Sequence, residues 1–366
     1  MSRVDAILNA EHSLLQEPPP STAGVRVHPL TDAVAEQWDR FVLQQPTGSL
    51  FHLVGWKRAV ERTFGFQACY FYTERDGEIT GVAPLFSISN WVVGRCLISS
   101  PFAVYGGVCA ADQNSEETLL EYMKNLGHTQ KVDFLELRYR QRQMIPGFAS
   151  NPLYFTFTAP LSADHEVNLK KLPKDTRYMI RKAAKSGLTT RRGLDQMDAF
   201  YRLFAFSMSR LGTPVFPRSL FDNLVREFPA SVDLLLVYQN AEPISGVFSF
   251  RFRDTMLPYY AGAGAEAAKL GANNFMYAEL MKIAAEEGLR RFDFGRSKKG
   301  TGAYAFKTQW NMDIEPLTYQ VHLVLRKELP NFNPLNPKFE LAARCWRKMP
   351  LGLATWAGPK IVKWFP

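Results

Sequence analysis

The chain has 366 residues, 46% of them apolar and 22% charged, the balance of a globular protein and not of a collagen-like, disordered or coiled-coil one. Its 44 Lys and Arg against 35 Asp and Glu leave +9, but residues 170–192 carry +8, residues 331–366 carry +5 and the remainder sums to −4. That distribution disfavours a protein that coats nucleic acid over its whole surface, and Cys69, Cys96, Cys109 and Cys345 have neither metal-ligand spacing nor the number for a disulfide framework.

Residues 1–24 read as a flexible N-terminal tail. Pro18-Pro19-Pro20 marks a linker, and Asp5 and Glu11 interrupt any apolar run of the secretory kind. No stretch of about 18 apolar residues occurs, so no transmembrane helix is expected, and the expected location is the cytoplasm, a reducing compartment. Apolar spacing predicts helices over 31–43 and 53–63. They lead into ACYFYTERDGEITGVAPLF (68–86), two strands about a turn at Asp76-Gly77. Residues 119–137 give an amphipathic helix and then a buried strand. Residues 160–188 are helix-forming and basic. Helices follow over Asp195–Leu211, with an apolar stripe at Leu203, Phe204, Phe206, Met208 and Leu211, and over Pro217–Phe228. Strands are predicted at 232–239, 244–253 and 255–261. Asn273 and Asn274 can cap a helix that reaches Glu287, and strands at 290–294 and 316–325 close the unit.

These elements repeat. Ile79, Gly81 and Val82 match Ile244, Gly246 and Val247 at an offset of 165, and Asp133-Phe134 matches Asp293-Phe294 at 160. Ordered matches at a near-constant offset predict a duplicated α/β unit. The expected division is a first domain at 25–158, a second at 159–328, and a basic, aromatic extension at 329–366. Within that extension, Trp346, Leu351, Leu353, Trp356 and Trp364 alternate with Lys and Arg. It is either a segment packed on the body or an amphipathic one in a membrane interface, and Pro350 and Pro359 break any long helix.

Three segments carry candidate chemistry. In LPKDTRYMIRKAAKSGL (172–188), Lys174, Arg177, Arg181 and Lys185 fall at helical spacing on one stripe, with Met179, Ile180, Ala183 and Ala184 to the other side. Such a stripe is either a solvated face or a grip for a phosphate-bearing anion. In DFGRSKKGTGAYAFK (293–307), a buried strand ends in glycines that let backbone approach a ligand, and Arg296, Ser297, Lys298 and Lys299 add polar and cationic groups. Here Tyr304 could donate a proton or be a buried aromatic. Asp293 could accept a proton from an amine or be a structural carboxylate. In GAGAEAAKLGANN (262–274), Gly262, Gly264, Asn273 and Asn274 precede or open a helix whose backbone N–H groups could receive a donor's pyrophosphate. No P-loop, no His-Glu-x-x-His and no Gly-x-Ser-x-Gly motif is present, so no metal is expected.

Two units in the order hairpin, strand, turn, helix, strand resemble the GNAT fold. With the basic helix at 172–188 and RFDFGRSKKGTGAYAFKTQW (291–310), the chain resembles the FemAB family over about residues 25–325. The wording of LGTPVFP (211–217), YYAGAG (259–264) and DFGRSKKGTGAYAFK is most similar to FemAB-related proteins associated with exosortase/PEP-CTERM systems and exopolysaccharide loci. The resemblance implies an α/β fold of two tandem GNAT-like domains with mixed, mainly antiparallel sheets. It implies transfer of an aminoacyl or acyl group to an amine of a peptidoglycan or exopolysaccharide precursor, with no tightly bound cofactor. The donor would be aminoacyl-tRNA or acyl-CoA, and the acyl-CoA pyrophosphate signature is not recognisable near 262–274. Phe306-Lys307 matches the family's Phe-Lys pair, which implies a role for Lys307 in acyl transfer. Arg177 and Arg181 would hold a substrate pyrophosphate. Asn311 departs from the pattern, since relatives often have Gly soon after the Phe-Lys pair. An acyl-CoA-dependent N-acyltransferase of sugars or amino acids, and a non-catalytic scaffold for RNA or a membrane surface, are the alternatives.

Overall fold

The computed structural model describes residues 24–150, 152–330 and 337–366, so the expected N-terminal tail lies outside it except for Gly24. The first half runs β1 (Arg26–Pro29), α1 (Ala35–Gln44), α2 (Val54–Phe64), β2 (Gln67–Arg75), β3 (Glu78–Asn90), β4 (Gly94–Ser99), β5 (Cys109–Ala110), α3 (Gln113–Thr129), β6 (Phe134–Tyr139) and β7 (Ala149–Ser150). The second begins with β8 (Tyr154–Pro160), α4 (His165–Lys171), α5 (Lys174–Lys185), β9 (Thr189–Arg192), α6 (Met197–Leu211) and α7 (Arg218–Glu227). It continues through β10 (Val232–Gln239), β11 (Glu242–Phe252), β12 (Thr255–Ala263), α8 (Ala267–Leu270) and α9 (Ala272–Glu286). Then come β13 (Arg291–Asp293), β14 (Ser297–Lys298), α10 (Gly302–Thr308), β15 (Asp313–Pro316) and β16 (Thr318–Leu323). Two helices, α11 (Pro337–Arg347) and α12 (Leu351–Val362), complete the described chain.

The duplication is visible in the hairpins. β2–β3 and β10–β11 both turn through two residues of positive φ, Asp76-Gly77 and Asn240-Ala241, the geometry that matches strand twist in a tight hairpin. Both ladders shift register at the same place, between Thr73 and Glu74 and between Val237 and Tyr238. Gly81 and Gly246 face Thr73 and Leu236 across the pairs. A Cβ would fall 2.7 Å from Thr73 Oγ1 in the first and 3.1 Å from Leu236 Cγ in the second. Turns and register shifts correspond at an offset of 164, so Gly81 is equivalent to Ser245 and the expected glycine match at 165 is one residue out of register; each glycine is required by its own close neighbours.

Two eight-stranded sheets result. The first has the order β1-β2-β3-β4-β6-β16-β7 with β5 on β3, and the second β14-β8-β13-β12-β11-β10-β9 with β15 on β8. Each contains one parallel pair, β4–β6 and β12–β13. This is the mixed, mainly antiparallel α/β architecture expected. The strand near 316–325, expected to close the second unit, instead inserts between β6 and β7 of the first sheet. In exchange β8, which spans the expected junction at 158/159, pairs with β13, β14 and β15. Alternation fixes which face of a strand is buried and says nothing about its partner.

Three local expectations are corrected. The basic stretch is two helices, broken at Leu172-Pro173 where proline fixes φ and lacks an N–H. The long helix near 273 is preceded by Gly271 at φ +71°, and Asn273 and Asn274 lie inside its first turn. The buried face of α6 is Met197, Phe200, Phe204, Ala205 and Ser209, with Leu211 67% exposed; the expected stripe mixed positions that a 3.6-residue period sends to different faces.

The halves share one core. Phe51 lies 5.2 Å from Tyr259 and Trp56 6.2 Å from Phe250, ring to ring. At Gly55, α2 meets the Phe228 ring so closely that a Cβ would stand 2.8 Å from it. Arg253 donates from Nη2 to the carbonyls of Val42 and Gln45, both at 2.6 Å.

Candidate active site

β13 ends at Asp293, which is 3% exposed. Its Oδ2 accepts from the Tyr105 hydroxyl at 2.8 Å, and its Oδ1 accepts from the Thr156 hydroxyl at 3.0 Å and from Gly295 N–H at 2.8 Å. Tyr105 belongs to the first sheet's side and Asp293 to the second, so the carboxylate is a polar lock between halves. With its oxygens spent on three donors, it is read as the structural carboxylate of the two alternatives. Burial, with the Asp293 charge beside it, pushes the Tyr105 hydroxyl well above the usual phenol range, so it stays a donor.

The chain then turns through Gly295 at φ +64°. Lys307 on α10 reaches back and donates from Nζ to the carbonyls of Phe294 at 2.6 Å, Gly295 at 3.1 Å and Arg296 at 3.1 Å. An ammonium has three donors, so here all of them hold the turn. Burial pulls Lys307 down to about 8; Asp293 opposes that shift and Arg296 adds to it. Tyr304 packs edge-on against Phe155 and Phe157 at 5.7 and 5.2 Å. Ser297 and Lys298 are buried on β14 beside β8. The Ser297 hydroxyl has no hydrogen-bond partner among the described residues, and burial lowers the Lys298 ammonium. Asn311 sits at φ +50° and donates from Nδ2 to the Lys171 carbonyl at 3.1 Å. Asn tolerates this left-handed conformation, so it can stand where the FemAB pattern leads one to expect Gly.

The turn aims Arg296 into a cavity of about 590 Å3 between the sheets, roofed by α11 and α12. The guanidinium lies over Tyr154 at 4.9 Å and Tyr319 at 5.8 Å, and Nη1 donates to the Tyr319 hydroxyl at 3.1 Å. Arg138 and Glu136, joined at 2.8 Å, also face this space. Neither Arg138 nor the tyrosines were singled out in the sequence. They sit in ordinary strand patterns, and only the third dimension gathers them.

The basic helix α5 is elsewhere. It packs on α8 and α9, with Lys182 donating to the Lys269 carbonyl at 3.0 Å and Thr176 to the Gln309 carbonyl at 2.5 Å. Lys174, Arg181 and Lys185 are exposed, Arg177 is half-buried with an unbonded Nε, and none of the four has an ion pair among the described residues. Ala183 is buried as expected, whereas Ala184 is exposed. None of these residues lines the Arg296 cavity.

The glycine-rich segment serves packing. A Cβ at Gly262 would lie 2.3 Å from the Phe204 backbone nitrogen of α6. Gly264 donates from its N–H to the Ile244 carbonyl at 2.8 Å. Gly271, Ala272 and Asn274 are buried, and a Cβ on Gly271 would lie 2.9 Å from the Met179 carbonyl of α5. Asn273 accepts from the Ser245 hydroxyl at 2.7 Å. The start of α9 is thus packed against α5. Gly262→Ala should destabilise the fold by about 1–3 kcal/mol through overpacking, read as a fall in the denaturant midpoint.

The extension is partly packed and partly exposed. Trp346, Ala354 and Val362 are buried, and a Cβ on Gly358 would lie 2.6 Å from the Val215 nitrogen. Leu341, Leu351, Leu353, Trp356 and Phe365 are exposed. Residues 331–336, and the side chain of Phe339, lie outside the described residues. α12 continues through Pro359 near its end. No described helix is long and apolar enough to cross a membrane, and among the described residues no cluster of His, Cys, Asp or Glu could hold a metal ion.

The backbone is similar to that of FemX, with a TM-score of 0.64 and 17% identity, over 87% of this chain and 100% of that one. The chain has the FemX-like tandem GNAT fold. It is shared with a tandem GNAT protein of the clavulanic acid biosynthesis pathway (TM-score 0.50, 9% identity, 83% of this chain and 100% of that one). It is also shared with the C-terminal domain of a candidate lysylphosphatidylglycerol synthetase from Agrobacterium fabrum (TM-score 0.55, 12% identity, 79% and 92%). Residues 170–308, within the second GNAT unit, match the acetyltransferase (GNAT) domain family model. No curated protein matches the sequence.

Proposed function

We propose that this chain is an acyltransferase that moves an aminoacyl or acyl group onto an amine of an anionic, phosphate-bearing cell-envelope precursor of the peptidoglycan or exopolysaccharide kind. The observation that carries the reading is the turn at Phe294–Arg296, held by Lys307 and presenting a guanidinium to a cavity between two GNAT units. The match of 170–308 to a GNAT domain supports acyl-group chemistry.

In the reaction the amine nitrogen attacks the donor carbonyl carbon. A C–N bond forms, the ester C–O or thioester C–S bond breaks, the leaving oxygen or sulfur gains a proton, and the amine loses one. Both substrates held in one cleft make this step effectively unimolecular. Lys307 contributes positive charge where the carbonyl oxygen becomes negative and fixes the turn. Asp293 acts as a positioning residue through Gly295. Arg177, Arg181, Lys174 and Lys185 form a separate unpaired cationic face suited to the phosphates of a donor such as aminoacyl-tRNA. The exposed apolar and basic face of α11–α12 suits peripheral contact at the inner face of a membrane.

Aminoacyl-tRNA is the donor favoured by the covered start of α9, with acyl-CoA as the alternative. Calorimetry with CoA separates them: tight CoA binding excludes the tRNA version. The reading as a whole is tested by mass spectrometry of peptidoglycan and polysaccharide fragments made with and without the protein. An added acyl or aminoacyl mass on an amine is expected, and identical fragments would count against it.

A further inference from the structure

The Arg296 cavity has a charge pattern and wall chemistry of its own. Its volume of about 590 Å3 falls within the roughly 300–1,000 Å3 of small-molecule sites. The walls are chiefly Val93, Ile98, Phe216, Val321, Val362 and Trp364. Three charged side chains face it. Arg138 and Glu136 neutralise one another, and Arg138 gives its other donors to the carbonyls of Ser100 and Ala103 and to the carboxyl oxygen of the last residue, Pro366, which also lines the cavity. Arg296 has no carboxylate partner among the described residues, and its contact with Tyr319 spends one of five donors. The guanidinium is half-buried without a counter-ion, and one incoming anion would supply it. A sugar or nucleotide of this size would leave most of its hydroxyls against apolar walls, at about 1–3 kcal/mol for each unmade bond. Trp91, 79% exposed, and Trp364 meet edge to face at 5.3 Å and also line this space.

We infer that this cavity binds a single-chain amphiphile, an aliphatic chain along the apolar walls with one anionic group on Arg296. The inference names the substrate class of the site proposed above and rests on that reading only for the step in which such a molecule reacts. Its binding stands alone. The bound anionic end lies at the turn that Lys307 holds, so one end of the chain is at the reacting centre and the other under α11–α12.

Calorimetry on the full chain tests it with myristate and 1-tetradecanol, which share a chain and differ in charge. Myristate should bind once per chain. Arg296→Gln should weaken myristate by about tenfold or more, the loss of a charged hydrogen bond, and tetradecanol far less. Ala342→Trp, on the cavity lining, should weaken both, and it keeps the proposal open to refutation if Arg296→Gln does not fold. No binding of myristate, equal loss of both probes on Arg296→Gln, or tighter binding of a UDP-sugar at this site would overturn it. Chain binding without any added mass on envelope fragments defeats the transferase reading alone; added mass without chain binding defeats this inference alone.

Discussion

Asp293→Ala is expected to lower the stability of the whole chain by about 3–4 kcal/mol, in a single unfolding transition. The carboxylate accepts from Tyr105, Thr156 and Gly295 N–H inside the protein. Removing an acceptor leaves buried donors unsatisfied at about 1–3 kcal/mol each, partly relieved because the two hydroxyl oxygens already lie 2.8 Å apart and can bond one another. Tyr105→Phe removes one donor and leaves the carboxylate its other two, so a loss of about 1 kcal/mol is expected. Denaturant unfolding of both variants checks this. A loss below about 1 kcal/mol for Asp293→Ala would mean that the lock contributes little.

Lys307→Met is expected to reduce turnover by about a hundredfold, the cost of misplacing a site by about 1 Å, because the turn that presents Arg296 loses the three bonds that hold it. The wild-type pH profile carries the more specific signature. Lys307 titrates near 8 because burial disfavours its charged form. The ammonium that holds three carbonyls is the protonated form, present below that value. Turnover should therefore be full below about pH 7 with respect to this group and fall as pH rises through 8. Lys307→Arg, whose guanidinium does not deprotonate in this range, should lose that alkaline limb whatever its absolute rate. A limb that survives the substitution would assign it to another group.

Much of the fold was legible. The hairpins and their turn residues are legible because tight turns restrict residue type at single positions, whereas the glycine match misses the structural register by one residue. The Phe306-Lys307 pair and the glycines at 295–302 belong to the turn that presents Arg296 to the cavity. What escaped was partnership. β16 reads as a strand from its sequence, but its alternation suits either sheet. Asp293 and Tyr105 are 188 residues apart, and nothing local in either segment announces the other. Arg296 was legible as a cation, while the cavity that gives it meaning is assembled from β4, β6, β16, the segment after α6, and α12. The basic helix carried the strongest charge signal in the chain, yet it faces a different region from Arg296, because net charge along a sequence does not specify direction in space.

The exchange of β8 and β16 has a consequence for synthesis. The first sheet pairs Phe134–Tyr139 with Thr318–Leu323, so a nascent chain that has emerged through its first half still lacks an inner strand. At roughly 5–20 residues per second, that gap in the sheet stays open for about ten seconds or longer, with β6 presenting unpaired backbone groups. The halves look like two beads on a string in sequence, but they cannot mature one after the other on the ribosome. The last strand to emerge completes the first domain begun, and a chain that stops before residue 318 would hold every strand of the second sheet while the first sheet, and the site between the two, are unfinished.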